Sequence, residues 1–304
     1  MSRIFDALHL SQVEQSGADP AELSTAPELL EVAERHRAAR QAMHSRSNGE
    51  RQLEGPADQF SHFQSARVPV IPQRELVCAT DEGSLAAEKF RYLGVRLRHL
   101  QQKRSLKRLL ITSSMAEEGK SMVAANLACT LARKQQQKIL LLEGDLRRPS
   151  LAKQFGLGEI PGLAELLQDE PASTPMNIYQ IEALGFWILT AGSPPQSPLE
   201  LIQSKTLSLL MDNLSGWFDW IVIDSPPLLP LGDTTVWMRL ADGILLVTRA
   251  GKTAKRQLQR GLEALEQPKL LGALLNGSTE ASFDDYYRYY GPANGPHVID
   301  QPTK

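Results

Sequence analysis

Residues 109–121 read Leu-Leu-Ile-Thr-Ser-Ser-Met-Ala-Glu-Glu-Gly-Lys-Ser, and this segment constrains the fold more tightly than any other. An apolar run enters a short loop, the loop ends in Gly-Lys-Ser, and residues 121–134 then carry helical periodicity. A strand, a loop and a helix in that order are what a P-loop requires. Gly119 lets the backbone approach a phosphate, Lys120 supplies a cation for the β- and γ-phosphates, and the Ser121 hydroxyl is a Mg²⁺ ligand. The helix N-terminus adds oriented N–H groups and a favourable dipole. The loop is atypical in two respects. Ser114 stands where the first glycine is usual. Glu117 and Glu118 add carboxylates that would repel phosphate if they pointed at it, so both are expected to face solvent or the metal.

Two further apolar runs end in acids. Residues 139–145 read Ile-Leu-Leu-Leu-Glu-Gly-Asp, which places Glu143 and Asp145 on one face at the end of a strand, because strand side chains alternate with period two. Residues 220–224 read Trp-Ile-Val-Ile-Asp and end in Asp224. Other runs at 109–112, 187–189, 244–247 and 270–275 alternate with helical segments such as 253–267. Runs that stay apolar rather than alternating suit strands buried on both faces, so the expected fold is α/β: a P-loop NTPase-type, mostly parallel sheet flanked by helices. In such sheets ligands sit at the carboxyl ends of the strands. Lys120, Ser121, Glu143, Asp145 and Asp224 are therefore expected to converge on one Mg-nucleotide.

Composition sets the remaining bounds. With 33 Lys+Arg against 35 Asp+Glu, the formal net charge is −2, which argues against a chain that grips nucleic acid by bulk charge. Cys78 and Cys129 are too few for a disulfide framework and lack metal spacing, so a reducing, cytoplasmic setting is expected. No apolar stretch approaches the ~18 residues of a transmembrane helix, and Asp6 interrupts any signal-peptide core. The first lysine is Lys89 and all four tryptophans lie between Trp187 and Trp237. This unevenness divides the chain into an N-terminal extension and linker (1–79), a globular domain (80–280) and a tail (281–304). Within the extension, which is read as helical and partly disordered, Ile4, Phe5 and Leu8 form a short apolar stripe, read either as a helix packing on its own domain or as a docking helix. Thr25–Glu28 fit a helix capping box, and residues 45–72 read as a flexible linker.

With these motifs in place, residues 85–290 resemble the bacterial tyrosine kinases (BY-kinases) of exopolysaccharide and capsule assembly. The family's Walker A, Walker A′ and Walker B motifs correspond to residues 113–121, 140–147 and 221–226. Its tyrosine-rich tail corresponds to Tyr286-Tyr287-Arg288-Tyr289-Tyr290. Residues 189–201, 247–253 and 275–276 fit weaker family patterns. The resemblance implies an ATP- and Mg²⁺-dependent autokinase that phosphorylates Tyr286, Tyr287, Tyr289 and Tyr290 in trans and regulates polymer production and export. The implied nucleotide site comprises Glu118, Gly119, Lys120, Ser121, Met122 and Asn276, the last as a candidate for adenine recognition. Ser121, Asp145 and Asp224 would hold the metal, and Glu143 occupies the position of the acid thought to deprotonate the tyrosine. Glu88 and Arg91 fit part of the family's oligomerisation helix, with Gly94 at its last position and Arg96 and Arg98 just beyond. Implied partners are a transmembrane co-polymerase activator, further copies in a ring and a tyrosine phosphatase. Location would be cytoplasmic, at the inner membrane face through the activator. The chain departs from the pattern at Glu143, normally Asp, and at Ala116-Glu117, where Pro-Gly is frequent.

Two other readings compete. A partitioning-type ATPase switch would carry a signature lysine in the loop, where this chain has Met115, and would leave four tyrosines in five residues unexplained. A catalytically weak nucleotide-binding regulator of the polysaccharide machinery is the second, motivated by Glu143 and Glu117.

Overall fold

A computed structural model of the chain describes residues 76–133, 137–168, 177–229 and 232–278. The amphipathic stripe, the capping box, the linker and the tyrosine cluster all lie outside the described residues. The first elements are α1 (Val77–Thr80), α2 (Leu85–Lys103), β1 (Arg108–Ser113), α3 (Lys120–Ala132) and β2 (Ile139–Glu143). Two short helices follow, α4 (Leu151–Gln154) and α5 (Leu163–Gln168), then β3 (Tyr179–Ile181) and β4 (Phe186–Leu189). The chain continues through α6 (Pro198–Ile202), α7 (Lys205–Trp217), β5 (Trp220–Asp224), α8 (Asp233–Leu240), β6 (Gly243–Arg249), α9 (Lys255–Glu263) and β7 (Leu270–Asn276).

Among the described residues, seven strands form one sheet in the order β3-β4-β2-β5-β1-β6-β7. All pairings are parallel except β3 with β4. The non-alternating apolar runs are explained by two cores. Leu109, Ile111, Leu141, Val222 and Val247 face α2 and α3, whereas Leu110, Leu140, Ile223 and Leu246 face α7 and α8. The antiparallel β3 was not expected. It is three residues long, and Gly185, at φ 72°, turns the chain back into β4.

Helix α3 is buried almost all round, between the sheet and the α1–α2 pair. Gly94 of α2 makes that sandwich close, since a Cβ there would sit 3.2 Å from Thr130 Cγ2. Arg98 donates from Nη2 to the carbonyls of Thr130 (3.3 Å) and Leu131 (3.0 Å), capping the end of α3. Leu76 and Cys78 are fully buried, and the Cys78 N–H donates to Asn126 Oδ1 at 3.1 Å. Residues 76–79, assigned to the extension from sequence, thus belong to the domain core. Among the described residues, no helix is long and apolar enough to cross a membrane.

Candidate active site

The carboxyl ends of β2, β5, β1, β6 and β7 lie side by side, and each contributes to one site. Glu143 and Asp224 are register partners on adjoining strands. Lys120, the first residue of α3, places Nζ 3.5 Å from Asp145 Oδ2. Asp224 is buried, and neither of its carboxylate oxygens has a hydrogen-bond partner among the described residues. Burial pushes its pKa up to about 7, eased by the Lys120 charge and the neighbouring Ser121 hydroxyl and worsened by Glu143 and Asp145. A buried, orphaned carboxylate beside a lysine and a serine hydroxyl fits a divalent cation. Among the described residues no group of three or more His, Cys, Asp and Glu could hold a metal alone. Mg²⁺ does not require one, since it keeps several waters and takes phosphate oxygens.

The loop is already formed, held by its own Glu118 and by side chains from β6, the turn after it and β7. Gly119 sits at φ 92°, and a Cβ there would collide with the Asn276 side chain. Asn276 Nδ2 donates to the Glu118 carbonyl at 3.0 Å. That bond lets the Asn276 amide hold the loop from the end of β7, and it uses one donor only, so the adenine role expected of Asn276 is not tested by it. Glu118 is a correction. It faces neither solvent nor metal but is 1% exposed, with its carboxylate accepting the Met115 N–H at 2.9 Å and the Thr253 hydroxyl. Folding back in this way satisfies loop donors and keeps its charge off the phosphates. Thr253 and Arg249, with Arg249 Nη1 donating to the Glu117 carbonyl at 3.1 Å, were not singled out as holding the loop from sequence. Only the family-like run at 247–253 pointed toward them.

Glu117 does face solvent, paired with Lys252 at 2.6 Å. It is the only non-glycine described at positive φ, 63°, a conformation that favours glycine. Left-handed backbone costs a residue with a Cβ roughly 1–2 kcal/mol, whereas an exposed ion pair contributes about 0–1 kcal/mol. Glu117→Gly is therefore expected to raise the melting temperature modestly with ATP binding retained. A lower melting temperature by calorimetry would show that the Lys252 pair dominates.

Glu143 is fully buried, and its carboxylate joins three segments. Oε1 accepts the N–H groups of Ser150 and Leu151 (2.7 Å), and Oε2 accepts that of Ala191 (3.0 Å). Burial nevertheless raises its pKa, with those N–H groups opposing. Asp145 Oδ1 accepts the Arg148 N–H at 3.1 Å. Gly144, between them, has no space for a side chain because the Trp237 indole lies against it and donates to its carbonyl at 3.1 Å. Arg147 is forked onto the buried Asp233 at 2.6 and 3.1 Å. Met122 lies near Gly119, behind the loop. Glu88 and Arg91 lie away from this site, paired with each other on α2, and Arg91 Nη1 also donates to the Glu82 carbonyl at 2.8 Å.

Comparison with known proteins follows the same outline. A family model described as "ParA: NUBPL iron-transfer P-loop NTPase" matches residues 106–278. "Tyrosine-protein kinase YwqD" of Bacillus subtilis is 34% identical over 221 residues, covering 72% of this chain and 92% of the relative. "Succinoglycan biosynthesis transport protein ExoP" of Rhizobium meliloti is 33% identical over 194 residues, covering 62% of this chain but 24% of that protein. Among solved structures, the kinase domain of Escherichia coli tyrosine kinase ETK aligns with a TM-score of 0.64 at 29% identity. That alignment covers 72% of this chain and 85% of the domain.

Proposed function

The chain belongs to the bacterial tyrosine-kinase family of P-loop proteins, and from that premise we propose how it works. It is an ATP-dependent protein-tyrosine kinase of exopolysaccharide or capsule production. The observation that carries the mechanism is the convergence of Lys120, Ser121, Asp145 and the unpartnered Asp224 beneath a prefolded loop. Lys120 leaves Asp145 for the β- and γ-phosphates, and the α3 N-terminus orients the chain of phosphates. Ser121 would hold Mg²⁺ directly, with Asp145 and Asp224 acting through its waters. When bound, that ion neutralises charge building on the transferring group. Asp145, beside Lys120 at the end of β2, is the carboxylate we assign to orient or accept the tyrosine proton. Glu143, with both oxygens bonded to backbone N–H groups, holds the Asp145 loop in place. The acceptors are Tyr286, Tyr287, Tyr289 and Tyr290. A membrane-bound co-polymerase activator, a ring of copies formed through the α2 face that carries Glu88 and Arg91, and a phosphatase complete the proposed cycle.

The test is phosphotyrosine on the purified full chain with Mg-ATP, and its absence would overturn the reading. The pH dependence has a definite sign. An acid whose folded pKa is raised contributes stability below its unfolded value of about 4. That contribution is lost as pH rises through about 7. Mg²⁺ needs the ionised form, so the increase in melting temperature caused by Mg-ATP should grow between pH 6 and pH 8. A constant increment would remove Asp224 from the metal site.

A further inference from the structure

One face of α8 grips both loops that carry the acids of the phosphate site. Asp233 and Trp237 stand one turn apart, at i and i+4, and both are buried. Trp237 Nε1 donates to the Gly144 carbonyl at 3.1 Å, and a Cβ on Gly144 would come within 2.8 Å of the indole. Asp233 takes the fork of Arg147, with Nε 2.6 Å from Oδ2 and Nη2 3.1 Å from Oδ1. Asp145 lies between these two anchors, directly after Gly144 and shortly before Arg147. Thr234, next to Asp233, donates from Oγ1 to the Pro226 carbonyl at 2.9 Å, in the loop that follows Asp224. The two loops also meet directly, because the Gly144 N–H donates to the Asp224 carbonyl at 2.7 Å. The ion pair is uneven in burial: the Asp233 side chain is 3% exposed and that of Arg147 is 37% exposed. A buried charge pair adds little net stability over an apolar contact. A forked guanidinium does add direction, since two parallel bonds fix angle as well as distance.

We propose that Asp233 is a positioning residue for the metal–nucleotide site. Acting through Arg147, it sets where Asp145 stands relative to Asp224, so that both carboxylates meet the waters of one Mg²⁺. This rests on the reading of Asp145 and Asp224 as the acids of the metal and adds the residue that spaces them. The bonds already described do not fix that spacing. Glu143 secures the chain beyond the loop, at Ser150 and Leu151. The bond from the Arg148 N–H to Asp145 Oδ1 is made within the loop and cannot hold it against the sheet. Lys120, 3.5 Å from Asp145, is the partner that turns to the phosphates when nucleotide arrives. Asp145 must keep its place without that lysine, and the Arg147 fork on α8 is the anchor that remains.

The test uses the full chain. Asp233→Asn keeps the shape but leaves Arg147 a single neutral acceptor. Groups that hold a metal's ligands in place commonly change its affinity by about 10–100-fold. The Mg²⁺ concentration for half-maximal ATP binding, read by calorimetric titration, should therefore rise ~10-fold, with the affinity for metal-free ATP unchanged. In the nucleotide-free chain, hydrogen exchange at amides 144–148 should quicken while that of α3 stays as in the parent. Arg147→Gln should raise the Mg²⁺ requirement equally, and the double variant should go no further than either single one, because each breaks the same bond. A residue that only supports the fold would lower the melting temperature and leave the Mg²⁺ requirement alone. That result, or losses that add in the double variant, overturns the assignment. Should Asp233→Asn fail to fold, Arg147→Gln, at the more exposed end of the pair, decides by itself, and an unchanged Mg²⁺ requirement there refutes the proposal. None of these readouts needs phosphotransfer. Absence of phosphotyrosine from the parent would remove the kinase reading, while the Mg²⁺ titration still decides this one.

Discussion

Replacing Lys120 by alanine is expected to reduce phosphotyrosine formation by at least ~10²–10³-fold, the usual cost of losing one preorganised charge-stabilising donor. The true loss should be larger, because Lys120 acts twice. It is the only cation supplied by the loop itself, and at 3.5 Å from Asp145 it also neutralises the acids that surround the metal position. Without it, Asp145, Glu143 and the buried Asp224 face one another with less compensation, and Asp224 is driven further toward its neutral form. Both Mg²⁺ and phosphate then lose partners. Isothermal titration with Mg-ATP and initial-rate measurements check this. Unaltered ATP affinity in a folded Lys120→Ala protein would show that the nucleotide lies elsewhere.

Glu143→Gln separates two roles for a residue whose sequence position suggests a base. If the carboxylate simply took the tyrosine proton, the amide would reduce the rate and leave stability alone. The bonding seen here leads to a different expectation. One amide oxygen can still serve Ser150 and Leu151, but the amide nitrogen would then confront the Ala191 N–H, donor against donor. A buried donor without an acceptor costs about 1–3 kcal/mol, which in a domain of this size lowers the melting temperature by about 2–4 °C per kcal/mol. Glu143→Asp should also destabilise, because the shorter side chain cannot reach all three groups. Activity should fall in both variants as the Asp145 loop shifts. A Glu143→Gln protein that melts like the parent yet loses phosphotransfer would restore Glu143 as the base.

The sheet was legible in the sequence because its strands are buried on both faces and read as unbroken apolar runs. Lys120, Ser121, Asp145 and Asp224 were legible because strand ends in such sheets gather at one edge. What escaped detection was contact-dependent. Nothing local distinguishes a Glu118 that binds its own loop from one that faces a ligand; Thr253, 135 residues away, decides it. Asn276 was placed correctly at a strand end, but no local pattern announces the bond it makes to the Glu118 carbonyl. Gly94 seemed to interrupt a row of arginines, and its reason is Thr130 on the helix it presses against. β3, three residues long, carries too little pattern to separate from a loop.

The position of β1 in the sheet has a consequence for how the protein is made. β1 delivers the phosphate loop, yet its neighbours β5 and β6 are both encoded more than a hundred residues later, Arg108 pairing with Ile221 and Leu109 with Gly243. During synthesis at about 5–20 residues per second, the strand waits several seconds with both edges open. Such non-local parallel pairing is slow and exposed to aggregation. Asn276, which secures the loop, emerges later still. A ribosome-bound fragment ending before β7 therefore lacks the Asn276 bond to the loop, and its affinity for Mg-ATP is expected to lie below that of the full chain.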